Sequence, residues 1–156
     1  MTDIQWVGGS EEDRSAVLAQ HDAYLQANAK LDWDHLESVF SAEQWAEYFN
    51  LNGFIYKGRE HWIRLWKYYI TQHSTGYWQP FDMTGFISDD LATVWAQQKT
   101  FWNWTGADQR YNTDRQNDEA YETRSTMIFH REDGDWKIVH VHFSNSKEGG
   151  ERPGGI

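Results

Sequence analysis

Apolar positions in the first part of the chain recur at the spacing of a helix. Val17, Tyr24 and Leu25 fall on one side of such a helix, and His21 falls on the same side. Ser10 precedes them and is followed by three acidic residues, as expected of an N-cap and a first helical turn. The pattern predicts a first helix that ends at about Lys30.

Three further elements are predicted before the middle of the chain. Asp32 or Asp34 can cap a second, short helix. From 45 to 56 the pattern is that of two short strands, and Asn52 with Gly53 suits the tight turn of a hairpin. Residues 59–72 return to helical spacing, which predicts a third helix rich in aromatic rings.

The second half of the chain is enriched in β-branched and aromatic residues, which is typical of strands. We predict an antiparallel meander of four strands, at 77–87, 91–104, 121–130 and 136–144. The turn before the first of them is placed at 74–76. The polar connection 105–119 is long for a hairpin and is either an extended loop or a flap over a site.

The length of 156 residues suits a single domain. Residues 1–9 are expected to form an N-terminal arm and 10–145 the domain itself. Residues 146–156 contain four glycines and a proline, which predicts a flexible tail.

Composition excludes several classes of function. The net charge of −10 repels a phosphate backbone, so nucleic acid is not an expected partner. No apolar run is long enough to cross a membrane and the first ten residues lack the features of a secretion signal, so we expect a cytoplasmic protein. The absence of cysteine rules out disulfides and thiolate metal sites.

Large aromatic residues are unusually abundant. Ten Trp, eight Tyr and eight Phe exceed what the packing of one small core requires. They either form an aromatic-rich core or contact a ligand or another subunit.

Three stretches carry a resemblance to a known fold family. They are Leu31-Asp32-Trp33, the segment 56–60 (YKGRE) and the closing segment 130–144 (HREDGDWKIVHVHFS). Together they resemble the nuclear transport factor 2-like superfamily, especially its SnoaL-like members and the association domain of the calcium/calmodulin-dependent kinase. The resemblance covers about residues 13–145.

The resemblance implies an α+β cone, in which a curved mixed or antiparallel sheet wraps around three N-terminal helices. In that superfamily the pocket serves isomerases, dehydratases, cyclases, epoxide hydrolases, lyases and plain binding modules. The fold therefore does not determine the reaction, which has to be inferred from the residues of the site.

The last predicted strand carries two histidines on one face. With a four-residue loop at 131–134, Ser125 lies opposite His140 and Thr123 opposite His142. Strand alternation places Val141 on the other face, and either face can line a pocket. The association domain has an inward-pointing arginine where this chain has Met127, and this resemblance implies that both histidines point inward.

An imidazole in a pocket can exchange a proton near neutral pH, so His140 and His142 are predicted as the acid/base pair. The alternatives are a structural role and a metal site. Because no third ligand is evident, no metal and no cofactor are predicted.

Tyr24 precedes Asp32 by eight residues, the spacing between the catalytic tyrosine of ketosteroid isomerase and the Asp that ends its first helix. This resemblance implies that Tyr24 donates a hydrogen bond to an oxyanion, although it can equally be a core residue. The general base of that isomerase aligns with Tyr48, so the same mechanism is not expected. Tyr48 is instead predicted as a second donor.

The resemblance also indicates the type of ligand. Gln98 and Met127 stand where the association domain has pocket arginines, which argues against an anionic ligand. A neutral or phenolic aromatic molecule fits better, with tryptophans as its walls. The predicted substrate-binding residues are Gln98, Trp102, Trp62, Trp66, Thr123, Ser125 and Met127.

The opposite face of the sheet is predicted to be a subunit interface. It would present Val139, Val141, Phe143, Ile128 and Trp95, an apolar patch that favours a homodimer or a larger homo-oligomer.

The leading functional hypothesis is a cofactor-independent lyase, isomerase or dehydratase that acts on a small hydrophobic, aromatic or phenolic compound, for example of the lignin-derived type. The alternatives are a non-catalytic ligand-binding or oligomerisation domain and a polyketide cyclase-like enzyme.

Overall fold

The computed structural model describes residues 3–30, 32–111, 120–147 and 149–155. Within these ranges the chain forms three helices and seven strands. The helices are α1 (Glu11–Lys30), α2 (Trp33–Val39) and α3 (Gly58–Tyr69). The strands are β1 (Ile4–Gly8), β2 (Glu47–Phe49), β3 (Ile55–Lys57), β4 (His73–Ser88), β5 (Leu91–Trp104), β6 (Tyr121–Glu132) and β7 (Asp135–Asn145).

All seven strands belong to one mixed sheet, in the order β1-β4-β5-β6-β7-β2-β3. The pairs β1/β4 and β2/β7 are parallel, and the other neighbouring strands are antiparallel. The sheet is curved and unclosed, and the helices pack on its concave side. The predicted α+β fold with three helices and a four-stranded meander is confirmed.

The predicted helix caps are present. The Ser10 hydroxyl accepts a hydrogen bond from the backbone N–H of Asp13 at 3.1 Å. The Asp32 carboxylate likewise accepts the N–H of His35 at 3.2 Å and begins α2. Both caps use side chains that the sequence places next to the helix start, which is why they could be predicted.

Two strand boundaries differ from the prediction. β4 already begins at His73, so residues 74–76 belong to a strand and not to a turn. The N-terminal arm contains β1, which no local pattern indicated. β1 pairs along β4 with Trp6 opposite Gly85, where a side chain would collide with the indole of Trp6.

The turn between β6 and β7 is shorter than predicted. Asp133 and Gly134 alone form it, and both have positive φ angles, of 50° and 86°. Phe129 therefore lies opposite Ile138, and the predicted four-residue loop at 131–134 is wrong.

A β-bulge in β7 then reverses which side chains face inward. Ile128 lies opposite His140 while Phe129 lies opposite Ile138, so Val139 is an extra residue on β7. Beyond it, Val141 is buried and His142 is exposed. The predicted inward orientation of both histidines is wrong for this physical reason.

Because of the same bulge, the predicted subunit interface is also wrong. Val139, Val141 and Phe143 are all buried, so they do not form an exposed patch. Ile128 is half-buried, and Trp95 keeps 43% of its surface exposed.

Aromatic rings fill much of the space between helices and sheet. Tyr48 on β2 stacks on Trp62 of α3 with ring centroids 5.1 Å apart, and Phe40 contacts both rings edge-on. Such contacts each add about 0.5–1.5 kcal/mol beyond the burial of apolar area. No helix in the described ranges is long and apolar enough to span a membrane.

Candidate ligand-binding cavity

A small cavity lies on the concave side of the sheet, between α1, α3 and the strands. Its volume is about 30 Å³, enough for water-sized molecules. We call this space the interior cavity. It is lined by Tyr24, Asn28, Trp66, Tyr69, Trp78, Trp102, Asn50, Leu51, Asn52, Tyr121 and Phe143.

The wall carries buried polar atoms that have no hydrogen-bond partner. Both the amide oxygen and the amide nitrogen of Asn28 are unpartnered, as are the indole N–H groups of Trp66, Trp78 and Trp102. Leaving one such group unpaired costs about 1–3 kcal/mol. Four neighbouring residues of this kind indicate a place where water or a ligand supplies the missing partners.

The helices and strands bring these groups together by simple spacing. Tyr24 and Asn28 lie one turn apart on α1, so they share one side of the helix. Trp66 on α3 meets Trp102 on β5 with ring centroids 5.8 Å apart, and Trp78 on β4 meets Trp102 at 5.9 Å. The three indole rings therefore pack around one space.

The interior cavity is rich in donors and has no charged side chain on its wall. Three indole N–H groups and the Asn28 amide all donate, and indole cannot accept. Such a wall suits a ligand oxygen, above all one that carries negative charge during a reaction.

Tyr24, the predicted oxyanion donor, lies in this wall. Its ring packs edge-on against Phe40 at 5.3 Å, and only 1% of its surface is exposed. Burial raises the pKa of Tyr24 well above its usual value of 10. Its phenol is therefore protonated at neutral pH and can act as a donor but not as a base.

Asn50, Asn52 and Tyr69 form a hydrogen-bonded group, the polar partition, which closes one side of the cavity. The Tyr69 hydroxyl accepts hydrogen bonds from the side-chain amides of Asn50 at 3.2 Å and Asn52 at 3.1 Å. The Asn52 amide also donates to the Tyr56 hydroxyl at 2.9 Å. Burial raises the pKa of Tyr69, so its own proton stays available for a ligand oxygen.

His73 lies behind the wall. Its ring is 4.1 Å from that of Trp102 and 5.0 Å from that of Tyr69, centroid to centroid. Burial lowers the pKa of His73 to about 3, although a hydrogen bond with the backbone of Asn103 acts in the opposite direction. The imidazole is therefore neutral, and its Nδ1 has no partner.

His21 is a second buried imidazole. It is fully buried on α1, its ring nitrogens have no hydrogen-bond partner, and Nδ1 lies 3.6 Å from a carboxylate oxygen of Asp22. It does not line the interior cavity.

Gln98, Ser125 and Thr123, three of the predicted substrate-binding residues, form hydrogen bonds with one another and do not line the cavity. The Gln98 amide donates to the Ser125 hydroxyl, and the Thr123 hydroxyl donates to the Gln98 carbonyl at 3.2 Å. Thr123 also bonds to Thr100 at 2.9 Å. Met127 is fully buried nearby on β6, outside the cavity wall.

The remaining aromatic predictions divide into two groups. Trp66 and Trp102 belong to the wall, whereas Trp62 and Tyr48 stack on each other away from it. The Tyr48 hydroxyl and the Trp62 indole N–H have no partner, and burial raises the pKa of Tyr48.

His140 and His142 lie on the convex side of the sheet. Nδ1 of His140 is 2.6 Å from the backbone oxygen of Glu47, and the Phe49 ring contacts both imidazoles at 4.8 and 5.2 Å. Their catalytic role remains a prediction, but it cannot be exercised in the interior cavity in this orientation. Within the described residues, no three His, Asp or Glu side chains are arranged to hold a metal ion.

The sequence did not single out several residues of the wall. Asn28 lies four residues after Tyr24, so helical spacing could have found it. Trp78 and the polar partition depend on strand register and on the hairpin turn, which local patterns do not fix.

Several solved structures share this fold. A candidate dehydratase of the nuclear transport factor 2-like family from Streptomyces avermitilis superimposes with a TM-score of 0.71, at 14% identity, over 88% of this chain and 99% of that one. A candidate aromatic ring hydroxylase from Novosphingobium aromaticivorans gives 0.74 at 15% identity, covering 90% and 94%. A candidate association domain of a calcium/calmodulin-dependent kinase from Thiobacillus denitrificans gives 0.65 at 16%, covering 83% and 94%.

These similarities show that the chain shares the fold of these three proteins. Residues 17–146 match the SnoaL-like domain family, and the chain belongs to that family. No curated protein shows significant sequence similarity to the chain.

Proposed function

We propose that the protein takes a small aromatic or phenolic compound into the interior cavity and acts on it as a cofactor-independent lyase, isomerase or dehydratase. The observation that carries the proposal is the set of unpartnered donors on Asn28, Trp66, Trp78 and Trp102. A substrate oxygen would complete their hydrogen bonds, while the rings would contact its apolar faces.

In this proposal the wall stabilises negative charge on the substrate oxygen. When a proton leaves a carbon next to a carbonyl group, its electron pair moves onto that oxygen. Fixed N–H donors then lower the energy of the resulting enolate. The Tyr24 hydroxyl, which remains protonated, adds a further donor.

The proton acceptor is assigned to His73, which lies behind Trp102 and Tyr69 and meets the substrate only once the cavity has widened. It is neutral, its Nδ1 is unpartnered, and it contacts the wall residues Trp102 and Tyr69. Its lowered pKa makes it a weak base, but a nearby negative charge would favour the protonated imidazole.

The cavity must widen to admit an aromatic ring, because about 30 Å³ is too small for one. The turn that carries Asn50, Leu51 and Asn52 is the part of the wall that does not belong to a helix or strand. We assign the opening movement to this turn.

A non-catalytic binding domain is the second candidate. It is favoured by the composition of the wall, which contains phenols and amides but no carboxylate or imidazole. Binding would then occur without proton transfer.

Thermal-shift measurements with a panel of phenols and aryl ketones test binding, since a ligand specific for the folded state raises the melting temperature. Trp102→Phe removes one donor and should abolish the shift, whereas Trp45→Phe, at an exposed tryptophan, should retain it. NMR of hits incubated with enzyme then separates the candidates. Product that disappears with His73→Asn supports catalysis, while binding without product supports the second candidate.

We also propose a homodimer formed through the convex side of the sheet. Val7, Phe86 and Trp95 lie on the adjacent strands β1, β4 and β5 and are 47%, 44% and 43% exposed. These three residues, the outer patch, present apolar area that a partner subunit would remove from water.

A further inference from the structure

A second concave site lies on the other side of the polar partition. This outer groove has a volume of about 500 Å³, in the range of small-molecule sites. It is formed by the β2–β3 hairpin, one side of α3 and the loop after β5. Asn52 and Tyr69 line both the groove and the interior cavity, so the two sites are neighbours.

Aromatic and aliphatic side chains make up one part of the groove and remain accessible. Phe54, Ile55 and Tyr111 are 54%, 52% and 40% exposed. Tyr111 contacts Phe54 at 6.2 Å and Tyr68 at 6.1 Å, both edge-on. The rings leave flat apolar area uncovered in a concave site, which suits a planar aromatic molecule.

The groove is lined by cationic residues, although the protein as a whole is acidic. Among the described residues, its lining includes Arg64 and Arg110 and no acidic side chain, whereas the chain as a whole carries a net charge of −10. Asp108, directly behind the groove, is bonded to Arg110 at 2.7 and 2.9 Å. Arg64 forms no ion pair with another described residue, so its guanidinium group can bind an anion.

The loop that carries Arg110 and Tyr111 is held in place. The Tyr68 hydroxyl donates to Asp108 at 2.6 Å, and the Gln72 side chain accepts the Asp108 backbone N–H at 3.1 Å. The hydrogen bonds from Arg110 and Tyr68 keep the pKa of Asp108 well below its usual range. The cationic and aromatic sides of the groove are therefore fixed relative to each other.

We propose that the outer groove binds a planar aromatic carboxylate, with Arg64 on the carboxylate and with Phe54 and Tyr111 on the ring. A guanidinium group matches a carboxylate in planar, bidentate geometry. A single free guanidinium beside apolar walls fits a monoanion better than a phosphate, which would need more donors. The groove thus selects an anion, whereas the interior cavity has an uncharged wall, and the proposal does not depend on the function proposed for that cavity.

Titration of ¹⁵N-labelled protein with 2-naphthoate, followed by NMR, tests this site. The Arg64 side chain and the backbone amides of Phe54 and Tyr111 report on the groove. The indole signals of Trp66, Trp78 and Trp102 report on the interior cavity, because no tryptophan lines the groove. We expect saturable shifts at the groove reporters, with affinity that falls as salt is added.

Three comparisons decide the outcome. The neutral analogue 2-naphthamide and the Arg64→Gln variant should each weaken binding about tenfold or more. Arg64→Lys keeps the positive charge but loses the planar, bidentate donor geometry of the guanidinium group. Its affinity for 2-naphthoate should lie between those of wild type and Arg64→Gln. Lys99→Gln removes one exposed charge away from the groove and should bind like wild type.

The proposal is overturned if the amide and the carboxylate bind equally, if Arg64→Gln binds like wild type, or if Lys99→Gln weakens binding as much. Because Arg64 is exposed, we expect its variants to fold, and their melting temperatures verify this. Shifts confined to the indole signals would also refute the groove as the site while supporting ligand binding in the cavity.

Discussion

The side-chain amide of Asn52 donates a hydrogen bond to the Tyr69 hydroxyl at 3.1 Å, and both residues face the interior cavity on one side and the outer groove on the other. This contact separates a small uncharged space from a larger cationic one. If the interior cavity fills through the hairpin turn, this is the contact that has to open.

Asn52→Ala should therefore accelerate entry into the interior cavity. The substitution removes the bonds to both Tyr69 and Tyr56 and shortens the side chain in the polar partition. Stopped-flow quenching of tryptophan fluorescence by the neutral probe 2-naphthol should show a several-fold higher association rate constant. Asn145→Ala, at an exposed position, is the control, and equal rates in all three proteins would contradict this route.

Asn28→Leu should stabilise the protein while it abolishes ligand binding. The buried amide has no protein partner, and water in the cavity offsets its burial only in part, so its removal should raise the free energy of unfolding by about 1 kcal/mol. Gln98→Leu is the matched comparison, because it leaves Ser125 and Thr123 without their partner and should lower that free energy by about 1–3 kcal/mol. Urea unfolding measures both. A destabilised Asn28→Leu would mean that the amide is bonded in solution.

His73 should make stability depend on pH between about 6.5 and 3. Its pKa falls from 6.5 in the unfolded chain to about 3 in the folded protein, so on acidification the unfolded state takes up the proton first. The free energy of unfolding should fall by about 1.4 kcal/mol per pH unit across this window, with no contribution from His73 above it.

Urea titrations between pH 4.5 and 6.5 isolate this effect. Asp13, whose pKa is lowered to about 2 by its hydrogen bond with Arg131, stabilises the fold above about 3.8 and loses that contribution only below it. His73→Asn should flatten the pH dependence, whereas His35→Asn, at an exposed histidine, should not. An unchanged slope in His73→Asn would show that another group is responsible.

His142→Ala should leave ligand binding in the interior cavity unchanged. The residue is exposed on the convex side, so its loss should change the free energy of unfolding by no more than about 0.5 kcal/mol. Tyr24→Phe, which removes a hydroxyl from the cavity wall, should weaken the same binding. Calorimetry with one phenolic ligand compares the two variants. Loss of binding in His142→Ala would restore the inward orientation predicted from the sequence.

Substitution in the outer patch should dissociate the proposed homodimer. Trp95→Lys places a charge in that apolar surface, and light scattering coupled to gel filtration should report a monomer. Trp45→Lys introduces the same charge at a tryptophan that is 60% exposed outside the outer patch, and it should remain dimeric. A wild-type protein that is already monomeric at high concentration would refute the interface.

The sequence predicted most elements correctly because their signals are local. Ser10 and Asp32 cap the helices they precede, and the β5 boundaries coincide with the predicted strand. The register of β7 was mispredicted because a two-residue turn and one extra residue, Val139, are set by packing across the sheet. The bulge buries Val141 and Phe143 in place of two imidazoles, which favours burial of the more apolar face.

The candidate site was predicted only in part for a related reason. The resemblance points to Tyr24 as a donor and to Trp66 and Trp102 as walls, and all three line the cavity. Gln98 was placed in a pocket by resemblance, but its hydrogen bonds to Ser125 and Thr123 depend on the pairing of β5 with β6. Whether a polar side chain faces a ligand or a neighbour is decided by such pairings.

The pairing of β1 with β4 protects one margin of the sheet. β4 spans 16 residues, and without residues 4–8 part of its outer backbone would present free N–H and C=O groups to other chains. The opposite margin is formed by β3, only three residues long. Short strands at both margins limit the addition of strands from other chains and therefore the growth of fibrils. An N-terminal truncation that removes β1 should thus make the protein more prone to aggregation.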